Sequence, residues 1–259
     1  MSILNVLFRV FAAVIILIAY LVLLILGYDL GIEVLVGALA ALLIIDHFYA
    51  VLVFRSYFKI LYDNCDAVKY IKKLRRRNKN DVSVGYRYNN MLRAYLALGL
   101  YYGGFFDEAK RVLEEIAASP QMNRNIKMLY TQLGFLMAVQ GRNYDTAEKQ
   151  LGDMENLITT HKHRKGYMTK LQNSVAYYRF ILRLKQGEFA GAEEVLNRQL
   201  RTATRRLSRV SISCYLADVY VHNGDKEKAV TSLEYAVQNG NNLHIASLAK
   251  QKLHELRLA

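Results

Sequence analysis

The chain has 259 residues, with 35 Lys and Arg against 22 Asp and Glu, 53% hydrophobic residues, two Cys, one Pro and no Trp. So much apolar residue excludes a disordered chain, and two cysteines exclude a disulfide-built secreted scaffold. A formal charge of +13 fits nucleic-acid binding and membrane attachment equally, so the position of the charge along the chain decides between them.

From Val10 to Tyr28 nineteen consecutive residues carry no charge, enough for a helix to cross a hydrocarbon core of about 30 Å. With Ile3 to Phe8 the segment extends over 3–27, interrupted only by Arg9. It is too long for the apolar part of a cleaved signal peptide, which runs to about 7–15 residues. A second apolar segment, 32–54, has an uncharged run of 12 residues from Val34 to Ile45, bounded by Glu33 and by Asp46 and His47. The pattern predicts a transmembrane helical hairpin, 3–27 and 32–54, turning near Tyr28 to Gly31. A second helix lying in the interface, or against the soluble part, is the alternative. In a hairpin Arg9 falls near the depth of Asp46, so an Arg9–Asp46 ion pair competes with a proton or ion site at Asp46 and His47.

Basic residues follow the second segment and are absent from the turn, which places both termini on the cytoplasmic side of a membrane of bacterial plasma type. Residues 55–82 carry +6 and read as a basic juxtamembrane helix or linker. In it, Lys72, Lys73, Arg75, Arg76 and Arg77 would meet anionic headgroups, worth about 1 kcal/mol each close to the surface. Beyond residue 54 there are 34 basic and 19 acidic residues, a balance of +15. The charge therefore belongs to the part outside the hairpin.

Residues 83–259 contain turn signals at intervals: Gly103 to Ala109, Gly141 to Ala147, Gly187 to Ala192 and Gly224 to Ala229. Each opens an apolar helical period, and the four Ala are 38, 45 and 37 residues apart, a degenerate repeat. Leu113, Leu151, Leu196 and Leu233 each follow four residues later. Small residues, Ala97, Gly134 and Ala217, stand where paired helices would cross. Pro120 separates two units, where it can end one helix without breaking another. The second turn carries one residue more than the third and fourth, and the segment from Thr159 to Gly166 blurs the register of the third unit.

These motifs resemble the tetratricopeptide repeat family, most clearly at Gly134, Gly141 and Ala147 and at Ala217, Tyr220, Gly224, Ala229 and Leu233. In arrangement the chain is similar to haem-biosynthesis-associated membrane proteins that place two spans before such repeats. The resemblance implies an all-α protein: the hairpin, then a cytoplasmic α-solenoid of about four helix pairs closed by a solvating helix over Asn242 to Leu258. Arg179 and Phe180 depart from the family pattern. The resemblance further implies a concave partner groove lined by Met91, Leu98, Tyr101, Met128, Phe135, Tyr177, Ile181 and Leu184. Such a groove would accept an amphipathic or apolar helix, unless those residues are core or are covered by the chain's own segment near 56–78.

No phosphate-binding loop, paired-Cys motif or Ser–His–acid set can be drawn, so neither catalysis nor a cofactor is expected. Cys65 and Cys214 stand alone, and His161 and His163, flanking Lys162, are too few for a metal site. Arg198, Arg201, Arg205 and Arg209 share one face if that segment is one helix, and would then dock an acidic partner, a phosphate or the membrane, or simply face solvent. The sequence thus reads as a membrane-anchored scaffold that recruits or assembles partner proteins. A membrane-tethered binder of nucleic acid or another polyanion is the alternative, though basic residues interleaved with aromatics are absent.

Overall fold

The computed structural model describes residues 14, 16–18, 20, 22, 25–27, 32–80, 86–118, 122–160 and 165–258. Eleven α-helices lie among the contiguous described stretches, joined by turns and one short π-helical turn. They are α1 (Ile32–Phe58), the π turn (Lys59–Asp63), α2 (Ala67–Asn80), α3 (Tyr86–Gly103), α4 (Phe106–Ala117) and α5 (Arg124–Gln140). There follow α6 (Tyr144–Thr159), α7 (Lys165–Lys185), α8 (Ala192–Thr202), α9 (Arg206–His222), α10 (Lys226–Asn239) and α11 (His244–Leu258). No strand occurs among the described residues.

Helices pack in sequence order, α2 on α3, α3 on α4, α5 on α6, α9 on α10 and α10 on α11. The repeat pattern explains why. Ala109, Ala147, Ala192 and Ala229 are all buried, and so are Leu113, Leu151, Leu196 and Leu233. An Ala and a Leu one turn apart put one flat and one bulky patch on the same helix face, and each fully buried Leu contributes about 1.5–3 kcal/mol. Ala97 and Ala217 are buried at the crossings, and a Cβ on Gly134 would lie 3.1 Å from the Gln150 carboxamide. The third pair is the loosest. α7 lies along α6 and α8 along α9, while Leu184, Ala192 and Leu196 share a core with α9.

The irregular spacing of the second turn disappears in three dimensions. Five residues before each buried Ala stands one left-handed residue: Gly104 (φ 83°), Arg142 (φ 57°), Gly187 (φ 95°) and Gly224 (φ 77°). After each, a backbone amide reaches back five residues to a helix carbonyl: Phe105 to Leu100, Asn143 to Ala138, Glu188 to Arg183 and Asp225 to Tyr220, at 2.8–3.0 Å. These are four copies of one Schellman closure, and the second places Arg where the others place Gly. Asn143 and Asp225 then cap the next helix, accepting from the amides of Thr146 and Lys228 at 3.1 Å.

Three expectations are refined. Within 55–82, expected as a basic juxtamembrane helix or linker, the helix α2 is packed into the fold. The Tyr70, Ile71 and Leu74 side chains of α2 are buried, and Gly99 of α3 admits the Tyr70 ring so closely that a Cβ there would sit 2.5 Å from it. The last helix does more than solvate one end. α11 also packs against α3, and its His244 ring lies 5.0 Å from that of Phe106, the first residue of α4, in edge-on contact. Finally, Arg198, Arg201, Arg205 and Arg209 do not form one face. α8 stops at Thr202, and Arg205 is extended (φ −98°, ψ 136°) before α9 begins.

The solenoid therefore closes on itself. The turn after α10 is sewn to the foot of α1: Asn242 donates to the Asp66 carboxylate at 2.7 Å and accepts from the Val68 amide at 3.3 Å, and Asn241 donates to the Asn64 carbonyl at 3.3 Å. Arg205 donates to both oxygens of Asp63, at 2.7 and 3.0 Å.

Among the described residues no helix is both long and apolar enough to cross a membrane. The first expected span is described only at scattered positions, and the expected turn at 28–31 lies outside the described residues, as do Arg9, Pro120 and the His161–His163 group. In α1, a helix of 27 residues, the side chains of Asp46 and His47 are likewise not described. The Arg9–Asp46 pairing thus falls outside the described residues.

Candidate functional site

Closing the solenoid leaves a central cavity of about 930 Å³. Its walls are the inward faces of α3, α5, α7, α9 and α11, with Val195, Arg198, Gln199 and Thr202 of α8, the segment to Arg205 that follows it, and Tyr62 of the π turn completing the lining. On each helix the lining recurs at three- and four-residue intervals: Gln132, Leu136 and Gln140 on α5; Ser174, Tyr178, Ile181 and Lys185 on α7; Ser208, Ser211, Tyr215 and Asp218 on α9. Such intervals keep side chains on one helix face.

Of the expected groove residues, Tyr101, Tyr177 and Ile181 line this cavity. Leu98, Phe135 and Leu184 are buried in the cores between pairs, and Met91 and Met128 pack against those cores. The expected groove and the inward face thus share Tyr101, Tyr177 and Ile181, whereas at two positions the lining falls one residue on: Leu136 follows Phe135 and Lys185 follows Leu184. The inward face mixes phenols, amides and charges with apolar side chains such as Leu136, Phe180, Ile181 and Leu248.

Six tyrosines line the cavity: Tyr62, Tyr101, Tyr102, Tyr177, Tyr178 and Tyr215. Tyr101 meets Tyr102 and Phe106 edge-on, with centroids at 5.3 and 5.7 Å. Tyr178 leans on Phe135 at 5.1 Å and takes a hydrogen bond from Gln132. Burial pushes the Tyr62 and Tyr101 phenols up to about 12 and raises Tyr102, Tyr177, Tyr178 and Tyr215 as well. At physiological pH all six are neutral hydroxyls, able to donate and accept.

The charges lie toward the two ends of α9. At one end Arg205 is held by Asp63, and Arg198 stands exposed on α8. Thirteen residues further along α9, about 20 Å at 1.5 Å per residue, Asp218 is flanked by Lys185, at 3.2 Å, and by Lys252 of α11. Lys185 also lies 5.2 Å from the Tyr215 ring centroid, a cation–π contact. Counting Asp63 and Asp218 against Arg198, Arg205, Lys185 and Lys252 leaves two positive charges. Of the other arginines, Arg201 lies outside the cavity lining and Arg209 sits 5.9 Å from the Tyr235 ring.

The thiols of the fold are not activated. Cys65 and Cys214 are buried, and burial pushes their thiols up to about 11 and 12, the reverse of what a nucleophile needs. No group of three or more His, Cys, Asp or Glu able to hold a metal occurs among the described residues. A shallower surface pocket of about 740 Å³ lies where Phe189 stacks on His222 at 4.2 Å, beyond the C-terminal end of α9.

On the outside, α2 presents Lys72, Lys73, Arg75 and Arg76 to solvent. Lys73 and Arg77 lie 4.5 and 5.7 Å from the Tyr57 ring centroid, and Arg75 pairs with Glu108. Tyr57 stands near the end of α1, so this basic face is fixed beside the foot of the apolar helix.

No protein-family model, curated protein or solved structure matches this chain. The sequence pointed to the inner helices but missed Tyr102, Tyr178, Tyr215, Lys185, Asp218 and Lys252. One signal was available: the doublets Tyr101-Tyr102 and Tyr177-Tyr178, which place a phenol on the inward face whichever phase is right.

Proposed function

We propose that this chain is a membrane-anchored scaffold of tetratricopeptide-like build, which recruits a partner at the cytoplasmic face into its central cavity. The observation that carries the reading is the closed solenoid, sewn at Asp63, Asn64 and Asp66 to the foot of α1, around a cavity lined with phenols, amides and cations. The hairpin 3–27 and 32–54 is the anchor. In support, Val34, Ile44, Phe48 and Leu52 of α1 are exposed along one face of the helix, with Val36 to its side. A broad exposed apolar face of this kind suits lipid better than water. Described residues of the first segment, Leu17, Ile18, Val22 and Ile25, are helical and exposed in the same way.

The basic α2 face beside that foot favours the same orientation, with anionic headgroups against Lys72, Lys73 and Arg76 and both termini cytoplasmic. Anchoring raises the effective concentration of the module for membrane clients. Catalysis is not part of the proposal. The cations of the lining favour a guest that carries a negative charge. The polyanion alternative keeps the cavity cations as its support, but closure favours a short guest over a long nucleic-acid strand.

Two experiments test the reading in the full chain. Sodium carbonate extraction should leave the protein in the membrane pellet, with a C-terminal reporter behaving as cytoplasmic. A photocrosslinking residue at Tyr177 should capture a species in cells that the same residue at exposed Lys110 does not, and Arg198→Glu with Lys252→Glu should abolish that capture. Release by carbonate, or equal capture at both positions, contradicts the proposal.

A further inference from the structure

We propose that the occupant of the central cavity is a small anion carrying a flat, hydrogen-bonding ring, the chemistry of a nucleoside phosphate. The inference rests on the cavity being the working surface. Three features of the lining select this class. Its volume, about 930 Å³, falls in the range of small-molecule sites, about 300–1,000 Å³, and contact of α11 with α3 bounds it. Its aromatic surface is concentrated: Tyr101, Tyr102 and Phe106 lie on one side, and Tyr177 and Tyr178, with centroids 6.2 Å apart, on another. Phenol faces take flat rings by stacking, a contact worth about 1–3 kcal/mol per base in nucleic-acid sites.

The third feature is polar. Gln132, Gln140, Asn173 and Gln199 line the same space. Each side-chain amide both donates and accepts, which matches the mixed edge of a heterocycle and the hydroxyls of a sugar. Lys185 and Lys252 stand at one end and Arg198 at the other, so an anionic group finds a cation whichever way the guest enters. The single carboxylate of the lining, Asp218, is already shared by the two lysines and does not oppose an anion alone. A bare phosphate would leave the aromatic surface idle.

The test is isothermal titration of the full chain in detergent micelles with nucleoside monophosphates and diphosphates, the matching nucleosides, inorganic phosphate and an acidic hexapeptide. The expected result is saturable one-to-one binding of at least one nucleotide, about tenfold or more tighter than its nucleoside or phosphate. Tyr177→Ala should weaken it about tenfold, Tyr177→Phe less than twofold, and Arg198→Gln, at an exposed position with an unchanged melting curve, about tenfold. Equal affinity for phosphate and nucleotide overturns the proposal, because the ring then contributes nothing. Binding of the peptide with none of the nucleotides also overturns it while leaving the cavity as the working surface. No binding by any probe, together with no capture from Tyr177, removes both the proposal and the reading beneath it.

Discussion

Single positions carry much of the architecture. Arg142 adopts φ 57° at a turn position where the other three units have Gly. A left-handed conformation costs a residue with a Cβ about 1–2 kcal/mol, partly offset because Gly loses more chain entropy on folding. Arg142→Gly should therefore stabilise the protein by about 0.5–1 kcal/mol, read as a rise in melting temperature. Gly104 is the reverse case: it needs φ 83°, and a Cβ there would lie 2.8 Å from His244 Nδ1. Gly187 has φ 95° and nothing within 4 Å of its Cβ position. Gly104→Ala should cost more than Gly187→Ala, and His244→Ala should recover part of the difference, since its own Cβ stays 3.1 Å away, but not the backbone part. Equal losses for the two glycine variants would deny the contact between α11 and the first pair.

The cavity phenols give a pH signature. Tyr62 and Tyr101 titrate near 12 in the fold against 10.0 for the free group. The folded state thus holds its protons more tightly than the unfolded state, and unfolding above pH 10 releases them. Stability should be full below about pH 10 and fall between pH 10 and 12. Denaturant titration across that range, with phenolate absorbance followed alongside, checks the sign. Phenolate appearing in the native protein below pH 10 at the cavity positions would contradict it.

At the level of elements, much was legible in the sequence and the reason is physical. Gly, a short turn and Ala mark a helix end, a reversal and a flat packing surface, and all three are local. The four turns and the paired helices follow from them. What stayed hidden depended on partners far along the chain. Asn242 and Asp66 read as ordinary turn residues, yet they meet across a separation of 176 residues. The phase of the inner face was hidden because apolarity alone cannot tell a core between pairs from a groove, and the resemblance placed Leu98, Phe135 and Leu184 in the groove. The α2 helix shows both limits: its charge run reads as a membrane-proximal linker, while Tyr70, Ile71 and Leu74 on its other side make it part of the core. Leu74→Ala should cost about 2–5 kcal/mol, whereas Lys72→Glu with Arg76→Glu should leave the melting curve nearly unchanged and weaken sedimentation of detergent-free protein with anionic vesicles. Loss of stability from the charge variant, rather than from Leu74→Ala, would reverse that division.

For the whole molecule, closure is the decisive property. An open solenoid offers a long groove to a long partner. A solenoid whose last helix meets its first pair, and whose last turn is fastened to the foot of an apolar helix, encloses a space instead. It also places Tyr62 of the π turn in that space, directly after α1, so the apolar helix and the cavity share one continuous piece of chain. The charge balance is then divided three ways. Part lies on α2 beside the foot of α1, part is taken up by pairs such as Arg205–Asp63, and part lines the cavity. The proposed function depends on the two ends meeting.

That meeting can be measured in the full chain by placing cysteines at Val68 and Asn242, where the Val68 amide lies 3.3 Å from Asn242 Oδ1, and applying a short bifunctional thiol reagent. The native Cys65 and Cys214 are buried and serve, with each single variant, as the background. The closed solenoid predicts near-complete intramolecular linkage, seen as a faster-migrating band because a loop of 174 residues has been tied. Two cysteines that each label readily but do not link would show that the ends stand apart, and the cavity with them.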